Sequence, residues 1–298
     1  MSAPVRDRAA DAVSLAAPDR PRRRWRAARR FARDPGAVAG ALLLLFLAMV
    51  AVAGPALVRD PIAQNIPDRL QPPSATYWFG TDELGRDIFA RVVGGAPISL
   101  ASGLASVIIG LALGTLMGAV AGYREGRLGL ALMGAVDLLL ALPAILLAIT
   151  IAARVGAGLP AAMVAAGLVG LPAYARLARA STLSVKRREM IDAARALGAS
   201  DAAILRRHIL PNILTPLIVQ ATIGVGSAIL LVAALGFLGL GAQPPTPEWG
   251  RMLSDAQRYI TNAPWIGIFP GLAITLTVLG FNLAGDGLRE ALDPTATS

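Results

Sequence analysis

Residues 190 to 212 read MIDAARALGASDAAILRRHILPN and differ from the apolar chain on either side. An alanine-rich helical pattern is interrupted at Gly198, restarts after Ser200 and reaches the pair Leu210-Pro211. Glycine favours the left-handed conformation that caps the C-terminus of a helix, and serine is a good N-terminal cap. The residue before a proline is pushed out of the helical region. The stretch therefore predicts a rigid helix-turn-helix, called the elbow (residues 190 to 211), whose second helix ends at Leu210-Pro211.

The elbow has a predicted apolar face and a predicted basic face. Met190, Ala194 and Leu197 share one side of a helix at spacings of four and three. Asp201 lies at the positive end of the second helix, and Asn212 can cap the next apolar helix. Three arginines remain available for solvent or acidic partners: Arg187, Arg188 and Arg195. Such an elbow is suited to docking on a soluble partner, with the capping of its neighbouring helices as the alternative role.

The composition indicates an integral membrane protein. Of 298 residues, 55% are hydrophobic and 16% are charged, with a mean hydropathy of +0.60, too apolar for one soluble domain. The absence of cysteine and the single His208 exclude thiolate and paired-histidine centres, so we predict no metal, cofactor or catalytic residue. Lys186 is the only lysine and is not in a phosphate-binding loop motif. The net charge of +9 is assigned to topology and membrane lipid, not to nucleic acid.

Six apolar stretches are long enough to cross a bilayer, which takes about 20 helical residues. In lipid each backbone polar group needs an internal partner, so the predicted class is an all-α integral membrane protein. The predicted spans are 37–58, 97–122, 130–153, 158–176, 213–240 and 264–285. The remaining segments are a basic N-terminal segment (1–36), a first outer loop (59–96), a loop containing the elbow (177–212) and a tail (287–298).

The distribution of positive charge predicts the orientation. With the N-terminus inside, 21 of the 28 Lys and Arg residues lie in inner segments and 7 in outer ones. This bias puts both termini and the elbow in the cytoplasm. The basic lead PRRRWRAARRFARDPG (21–36) is read either as an interfacial helix on anionic lipid or as a tail that only sets orientation.

Small residues recur at every fourth position of the second apolar stretch. They are Ser102, Ser106, Gly110, Gly114, Gly118 and Gly122. Residues four apart share a helix face, so this stripe predicts close packing of another helix backbone. The partner helix lies either within this chain, which we favour, or in a second subunit.

Three polar groups have both a functional and a structural interpretation. Asp137 is an ionisable residue at the edge of the third span, which suggests an ion site, but a structural role near the inner mouth is favoured. Thr81 with Asp82, Glu83 and Asp87 could suggest a cation site, but the spacing fits no calcium loop, and a helix start capped by Thr81 is preferred. His208 is read as a surface residue that compensates a helix dipole.

A second helix start is predicted near residue 246. Thr246 provides the cap, Pro247 the first helical position and Glu248 an acid near the dipole. The result is a short outer helix over 247–258, with Trp249 and Tyr259 anchoring it at the membrane interface.

The elbow resembles a known family motif. D-A-A-R-A-L-G (192–198), followed by nine residues and then His208-x-Leu210-Pro211, is similar to the EAA loop of binding-protein-dependent ABC importers of type I. Asp192 stands where the family has glutamate, and His208 where it has isoleucine. The resemblance implies that Asp192, Ala193, Ala194 and Gly198, with Leu210 and Pro211, couple the chain to an ATPase.

Three longer stretches resemble the peptide and nickel branch of that family, specifically its C-type permease. They are residues 78–100, 236–253 and 269–294. The resemblance implies a type I transmembrane domain over 97–286 and a bacterial cytoplasmic membrane location. Its implied partners are a homologous second permease, two ATPase subunits and an extracytoplasmic solute-binding protein. Di- or oligopeptides are the expected solutes, with nickel, glutathione or another small solute as alternatives, and an ion-driven transporter or a membrane scaffold as rival functions.

Overall fold

The computed structural model describes residues 28–292 and is almost entirely helical over that range. Residues 21–27 of the predicted basic lead lie outside the described residues. Ten α-helices are described: α1 (Pro35–Leu57), α2 (Ile88–Tyr123), α3 (Arg127–Leu140), α4 (Ala144–Val155), α5 (Leu159–Lys186), α6 (Glu189–Ala196), α7 (Asp201–Ile204), α8 (Leu210–Phe237), α9 (Trp249–Ala256) and α10 (Trp265–Leu292).

Five helical segments are long and apolar enough to cross a membrane: α1, α2, α5, α7 continued by α8, and α10. The bent pair α3 and α4 gives a sixth if it is counted as one span, and it is not the straight helix predicted over 130–153. The two halves meet at 98°. Pro143 precedes α4, lacks an N–H and disfavours a helical conformation at Leu142, so the helix breaks there.

Two spans are longer than their apolar cores suggested. Helix α2 begins at Ile88, because the side chain of Asp87 caps it by accepting hydrogen bonds from the amides of Phe89 (2.9 Å) and Ala90 (3.3 Å). The predicted helix start at Thr81 is therefore wrong. Thr81 instead pairs with Asp87 in a short antiparallel bridge, where its hydroxyl accepts from the amide of Gln71 at 2.8 Å. At its other end, α5 runs ten residues beyond the predicted limit, to Lys186.

The glycine stripe of α2 packs against α5 of the same chain. A Cβ atom added at Gly110, Gly114, Gly118 or Gly122 would lie 2.1 to 2.8 Å from a carbonyl oxygen of α5. No side chain fits at such distances, so the two backbones are in direct contact along four turns. This contact makes α2 and α5 one mechanical unit at the centre of the bundle.

The helix after the elbow does not end at Leu210, contrary to the prediction. It continues from Asp201 to Phe237 through a π-helical turn at Leu205–Ile209. The wider turn moves the preceding carbonyls, so that Pro211 fits without an N–H or a clash. Asn212 does not cap a new helix; its side-chain amide donates to the carbonyl of His208 at 2.6 Å.

The short helix α9 begins two residues later than predicted. Glu248, not Thr246, caps it by accepting from the amides of Gly250 (2.9 Å) and Arg251 (2.8 Å). Trp249 is not an interface anchor. It is 1% exposed, and its indole N–H donates to the carbonyl of Val92 at 2.9 Å. Burial raises the pKa of Glu248, and the two amide donors oppose that rise.

A buried charge cluster fixes the start of α2. The Asp82 carboxylate pairs with Arg86 (2.6 Å) and with Arg91 (3.4 Å), and all three residues are almost fully buried. Arg86 also pairs with Glu83 at 3.0 Å, so two carboxylates balance two guanidinium groups that would be costly to leave unpaired. Among residues 28–292, no group of three His, Asp or Glu side chains is placed to hold a metal ion.

Candidate functional site

The elbow is a helical turn closed by a left-handed glycine. Gly198 has φ +80° and follows the end of α6. Its amide donates to the carbonyl of Arg195 (2.9 Å), and the amide of Ala199 donates to the carbonyl of Ala194 (3.0 Å). These two bonds satisfy carbonyls that the end of α6 would leave unpaired. Ser200 then caps α7 by accepting from the amide of Ala203 at 3.3 Å.

The side of the elbow that faces the helix bundle is part of the main hydrophobic core. Ile191, Ile204 and Ile209 are each 0% exposed, and Ala194 is 8% exposed. The predicted apolar face was partly wrong, because Leu197 is 89% exposed. The buried face of α6 passes through Ile191 and Ala194. The elbow is therefore fixed to the bundle by isoleucines.

A polar latch joins the elbow to the end of α2. The hydroxyl of Tyr123 donates to Oδ1 of Asp201 at 2.6 Å, and the Arg124 guanidinium lies 3.4 Å from Oδ2 of Asp201. The Arg195 guanidinium lies 5.9 Å from the centroid of the Tyr123 ring. Cations at this distance from an aromatic face are attracted to it. The tyrosine thus contacts both elbow helices.

Lys186 ties the end of α5 to the same tyrosine. Its ammonium donates to the carbonyl of Tyr123 and to Oε1 of Glu125, both at 2.8 Å. The hydrogen bond from this ammonium lowers the pKa of the Glu125 carboxyl and so favours its charged form. The two helices in contact along the glycine stripe are thus also linked at their elbow end.

The residues implied as coupling contacts fall into two groups. Asp192, Ala193, Gly198 and Pro211 are exposed, and Asp192 makes only a loose ion pair with Arg195 at 3.6 Å. Ala194 faces the bundle, and Leu210 is half-buried. The exposed group, with Leu197 between its members, forms a surface that a partner can contact.

A second feature is a cavity of about 190 Å³ among α2, α5 and α8. Its polar lining residues are Ser106, Tyr174, Gln220 and Ser227, and Gly224 lies between the last two. None of its twelve lining residues is charged. Ser106, Tyr174 and Gly224 each lie near the middle of a long helix, so the cavity is at mid-height in the bundle.

Asp137 forms an ion pair with Arg176 of α5 at 2.7 Å, and both side chains are more than half exposed. A carboxylate held by a guanidinium links α3 to α5.

Two protein families match parts of this chain. Residues 110–298 match the model described as binding-protein-dependent transport system inner membrane component. The chain belongs to this family. Residues 23–73 of the permease match the N-terminal transmembrane domain of oligopeptide transport permease C.

Curated relatives and a solved structure resemble the permease over most of its length. The dipeptide transport system permease protein of Alkalihalophilus pseudofirmus is 47% identical over 92% of this chain and 91% of its own. The glutathione transport system permease protein of Escherichia coli O6:K15:H31 is 47% identical over 97% and 96%. An inward-facing structure of the MetNI methionine ABC transporter has a TM-score of 0.54 and 26% identity, covering 67% of the permease and 96% of that chain. The permease therefore has the type I ABC importer fold and is a multi-pass inner membrane protein.

Sequence reasoning missed the residues that fasten the elbow. Tyr123 and Lys186 lie at the ends of long helices, and their partners are 61 to 78 positions away. The only signal in the sequence was a tyrosine and a lone lysine at the edges of two apolar runs. Ile191, Ile204 and Ile209 could have been found by helical periodicity, if the π turn had been foreseen.

Proposed function

We propose that the permease forms part of the solute pathway of an ATP-driven importer and that the elbow passes the motion of partner ATPases to its helices. The observation that carries this proposal is that the elbow is exposed on one side and anchored on the other. The exposed residues are Asp192, Ala193, Leu197 and Gly198, which are free to contact a partner. Ile191, Ile204 and Ile209 are buried in the bundle. A force on such an element reaches the helices without being lost in a flexible loop.

The path of that force runs through the latch. Displacement of the elbow moves Asp201 and the π turn, which pull on Tyr123 at the end of α2 and on α8. Because α2 and α5 touch along the glycine stripe, they move together. ATP binding closes the partner ATPases, draws the elbows of the two permeases together and opens the pathway outward.

The proposed complex contains a homologous second permease, two ATPase subunits and an extracytoplasmic solute-binding protein. ATP hydrolysis is assigned to the separate subunits, because the sequence has no phosphate-binding loop. We propose that both termini and the elbow lie in the cytoplasm, and the excess of Lys and Arg in those segments supports this orientation.

The proposed solute is a di- or oligopeptide. Two relatives at 47% identity are named for dipeptide and for glutathione, which is itself a small peptide. Glutathione is the second candidate. Nickel or another small solute ranks below both, since the described residues offer no group of metal ligands.

An ion-driven transporter is the main rival, and the geometry of Asp137 disfavours it. A coupling carboxylate is expected near the bilayer midplane and must be free to exchange its ion. Asp137 is instead paired with Arg176 and exposed near the end of α3. A passive membrane scaffold would have no need for the uncharged cavity at mid-height.

The test uses the complete transporter reconstituted in vesicles with its own binding protein. We expect uptake of labelled dialanine that requires ATP on the elbow side and loaded binding protein on the other. Uptake by this permease alone, driven by a proton or sodium gradient, would support the rival. No uptake of dialanine or glutathione by an assembled complex that hydrolyses ATP would contradict the peptide assignment.

A further inference from the structure

The cavity among α2, α5 and α8 is lined by a tyrosine hydroxyl that has no hydrogen-bond partner in the described part of the chain. Tyr174 is 3% exposed, and its hydroxyl makes no hydrogen bond to any residue between 28 and 292. The ring is packed in the bundle while the hydroxyl lines the cavity, so the hydroxyl is free to hydrogen-bond a molecule that occupies it. This residue is in the middle of a proposed pathway.

The glycine opposite keeps that hydroxyl in place. A Cβ atom added at Gly224 would lie 2.2 Å from Oη of Tyr174, closer than any real contact. The phenol therefore rests against the bare backbone of α8, and any side chain at 224 would displace it. Glycine lowers helix propensity, so its presence in the interior of α8 has a spatial reason here.

Two further polar groups lie on the same side of α8. Gln220 precedes Gly224 by one turn, and Ser227 follows it by three positions, so all three line the cavity. The Ser106 hydroxyl donates its proton to the carbonyl of Ser102 at 2.8 Å, which leaves its oxygen as an acceptor only. The side-chain amide and hydroxyls can together both donate and accept hydrogen bonds.

The absence of charge defines the chemical class of the ligand. A site for a free ion or carboxylate needs an opposite charge or several aligned dipoles, and none of the twelve lining residues is ionised at neutral pH. A peptide bond has one N–H and one C=O and carries no charge, so it matches this set. A site that recognises only the backbone amide does not discriminate between solutes by their side chains.

We infer that Tyr174, Gln220 and Ser227 form a translocation subsite that hydrogen-bonds the peptide bond of the passing solute, with the second permease closing the other side. This inference rests on the proposed function and deepens it. Transporters commonly place their solute near the bilayer midplane, and these three residues lie at mid-height in the bundle. The subsite lowers the cost of moving an amide through an apolar bundle.

The test exploits the lack of cysteine in the sequence. Ser227→Cys provides a unique thiol in the cavity, and Thr222→Cys provides a control on the same helix, where the native hydroxyl donates to the carbonyl of Ile218 at 3.0 Å. The rate of maleimide modification of this subunit is measured in the complete reconstituted transporter during turnover, with and without dialanine. We expect dialanine to slow modification at 227 by roughly twofold or more, in proportion to the time the cavity is filled, and to leave 222 unchanged.

Tyr174→Phe tests the hydroxyl itself, with Thr222→Val as the matched loss of a hydroxyl elsewhere on the bundle. We expect the phenylalanine variant to transport roughly threefold to tenfold less dialanine per ATP hydrolysed, the effect of one lost hydrogen bond, while the control keeps the wild-type ratio. Normal dialanine import with no protection at 227 and an unchanged ratio in Tyr174→Phe would overturn the subsite alone. Failure of the wild-type complex to import either dialanine or glutathione would remove the proposed solute class and the subsite with it.

Discussion

The hydroxyl of Tyr123 and Oδ1 of Asp201 are 2.6 Å apart, although 78 positions separate the two residues in the sequence. The bond joins the end of α2 to the start of the second elbow helix. Arg124 also pairs with the Asp201 carboxylate, and the Arg195 guanidinium lies over the Tyr123 ring. In the proposed mechanism this bond carries displacement of the elbow into the transmembrane bundle.

Removal of this hydroxyl should weaken coupling more than folding. We expect Tyr123→Phe to reduce peptide uptake and solute-stimulated ATP hydrolysis together, by roughly threefold to tenfold, because one hydrogen bond to a charged group is lost while the ring remains. Uptake and phosphate release in vesicles provide the measurement. Tyr259→Phe, at the opposite end of the bundle, is the control. Equal activity of the two variants would contradict a role in coupling for the hydrogen bond between Tyr123 and Asp201.

The glycine stripe predicts a steric defect from a single methyl group. A Cβ at Gly118 would lie 2.1 Å from the carbonyl oxygen of Ala175, so Gly118→Ala must push α2 away from α5. We expect a loss of about 1–3 kcal/mol in stability, seen as a lower thermal unfolding midpoint in detergent. Gly134→Ala is the matched control, since no atom lies within 4 Å of a Cβ there. A control as destabilised as Gly118→Ala would show that the contact is not responsible.

The left-handed glycine of the elbow predicts a defect in coupling. Gly198 has φ +80° with open space around it, so a β-branched residue is opposed by backbone strain and not by a clash. Gly198→Val should cost of the order of 1–3 kcal/mol locally and reorient α6. Uptake and stimulated ATP hydrolysis should fall together in the assembled complex.

Gly156→Val provides a matched control for that variant. Gly156 also has positive φ (+110°) and open surroundings, but it lies between α4 and α5, away from the elbow. Its substitution should leave the ratio of uptake to ATP hydrolysis unchanged. Undiminished uptake by Gly198→Val would count against the lever.

The buried charge cluster predicts a strong folding defect. Asp82→Leu leaves Arg86 and Arg91 without their shared carboxylate, which should cost about 3–5 kcal/mol. The yield of folded complex and its thermal unfolding midpoint measure the loss. Asp60→Leu, on the exposed part of the same loop, should have a small effect. Comparable yields for the two variants would contradict a structural role for Asp82.

Apolar runs and local caps made much of the fold predictable from the sequence. An apolar stretch of about 20 residues has few structures open to it in a bilayer other than a helix. The number and the class of the spans could therefore be predicted. Gly198 and Ser200 act through bonds within five positions, and such local chemistry can be read directly. The same holds for the small-residue stripe, although its partner helix could not be named.

The remaining features depend on long-range packing or on a choice between local signals. Pro143 was visible, but a proline can kink a helix or end it, and the 98° bend follows from how α3 and α4 pack on α5. Pro211 suggested a helix end, yet the helix continues through Pro211 because a π turn at Leu205–Ile209 precedes it. Arg91 falls in the predicted first outer loop, whereas in the structure it lies in α2, 3% exposed and beside Asp82. No local pattern reports such pairings.

The most direct test of the lever is a cross-link from the exposed side of the elbow. Leu197→Cys provides a unique thiol at a position that is 89% exposed, and Ile260→Cys provides one that is also well exposed at the other end of the bundle. A short maleimide–diazirine cross-linker, attached to the thiol and then photoactivated so that its carbene inserts into any adjacent protein, should join the chain to an ATPase subunit through position 197 and not through position 260, and the bond should block ATP-driven uptake. If position 197 joins no ATPase, or reacts with a membrane-impermeant maleimide added outside intact cells, the account is contradicted.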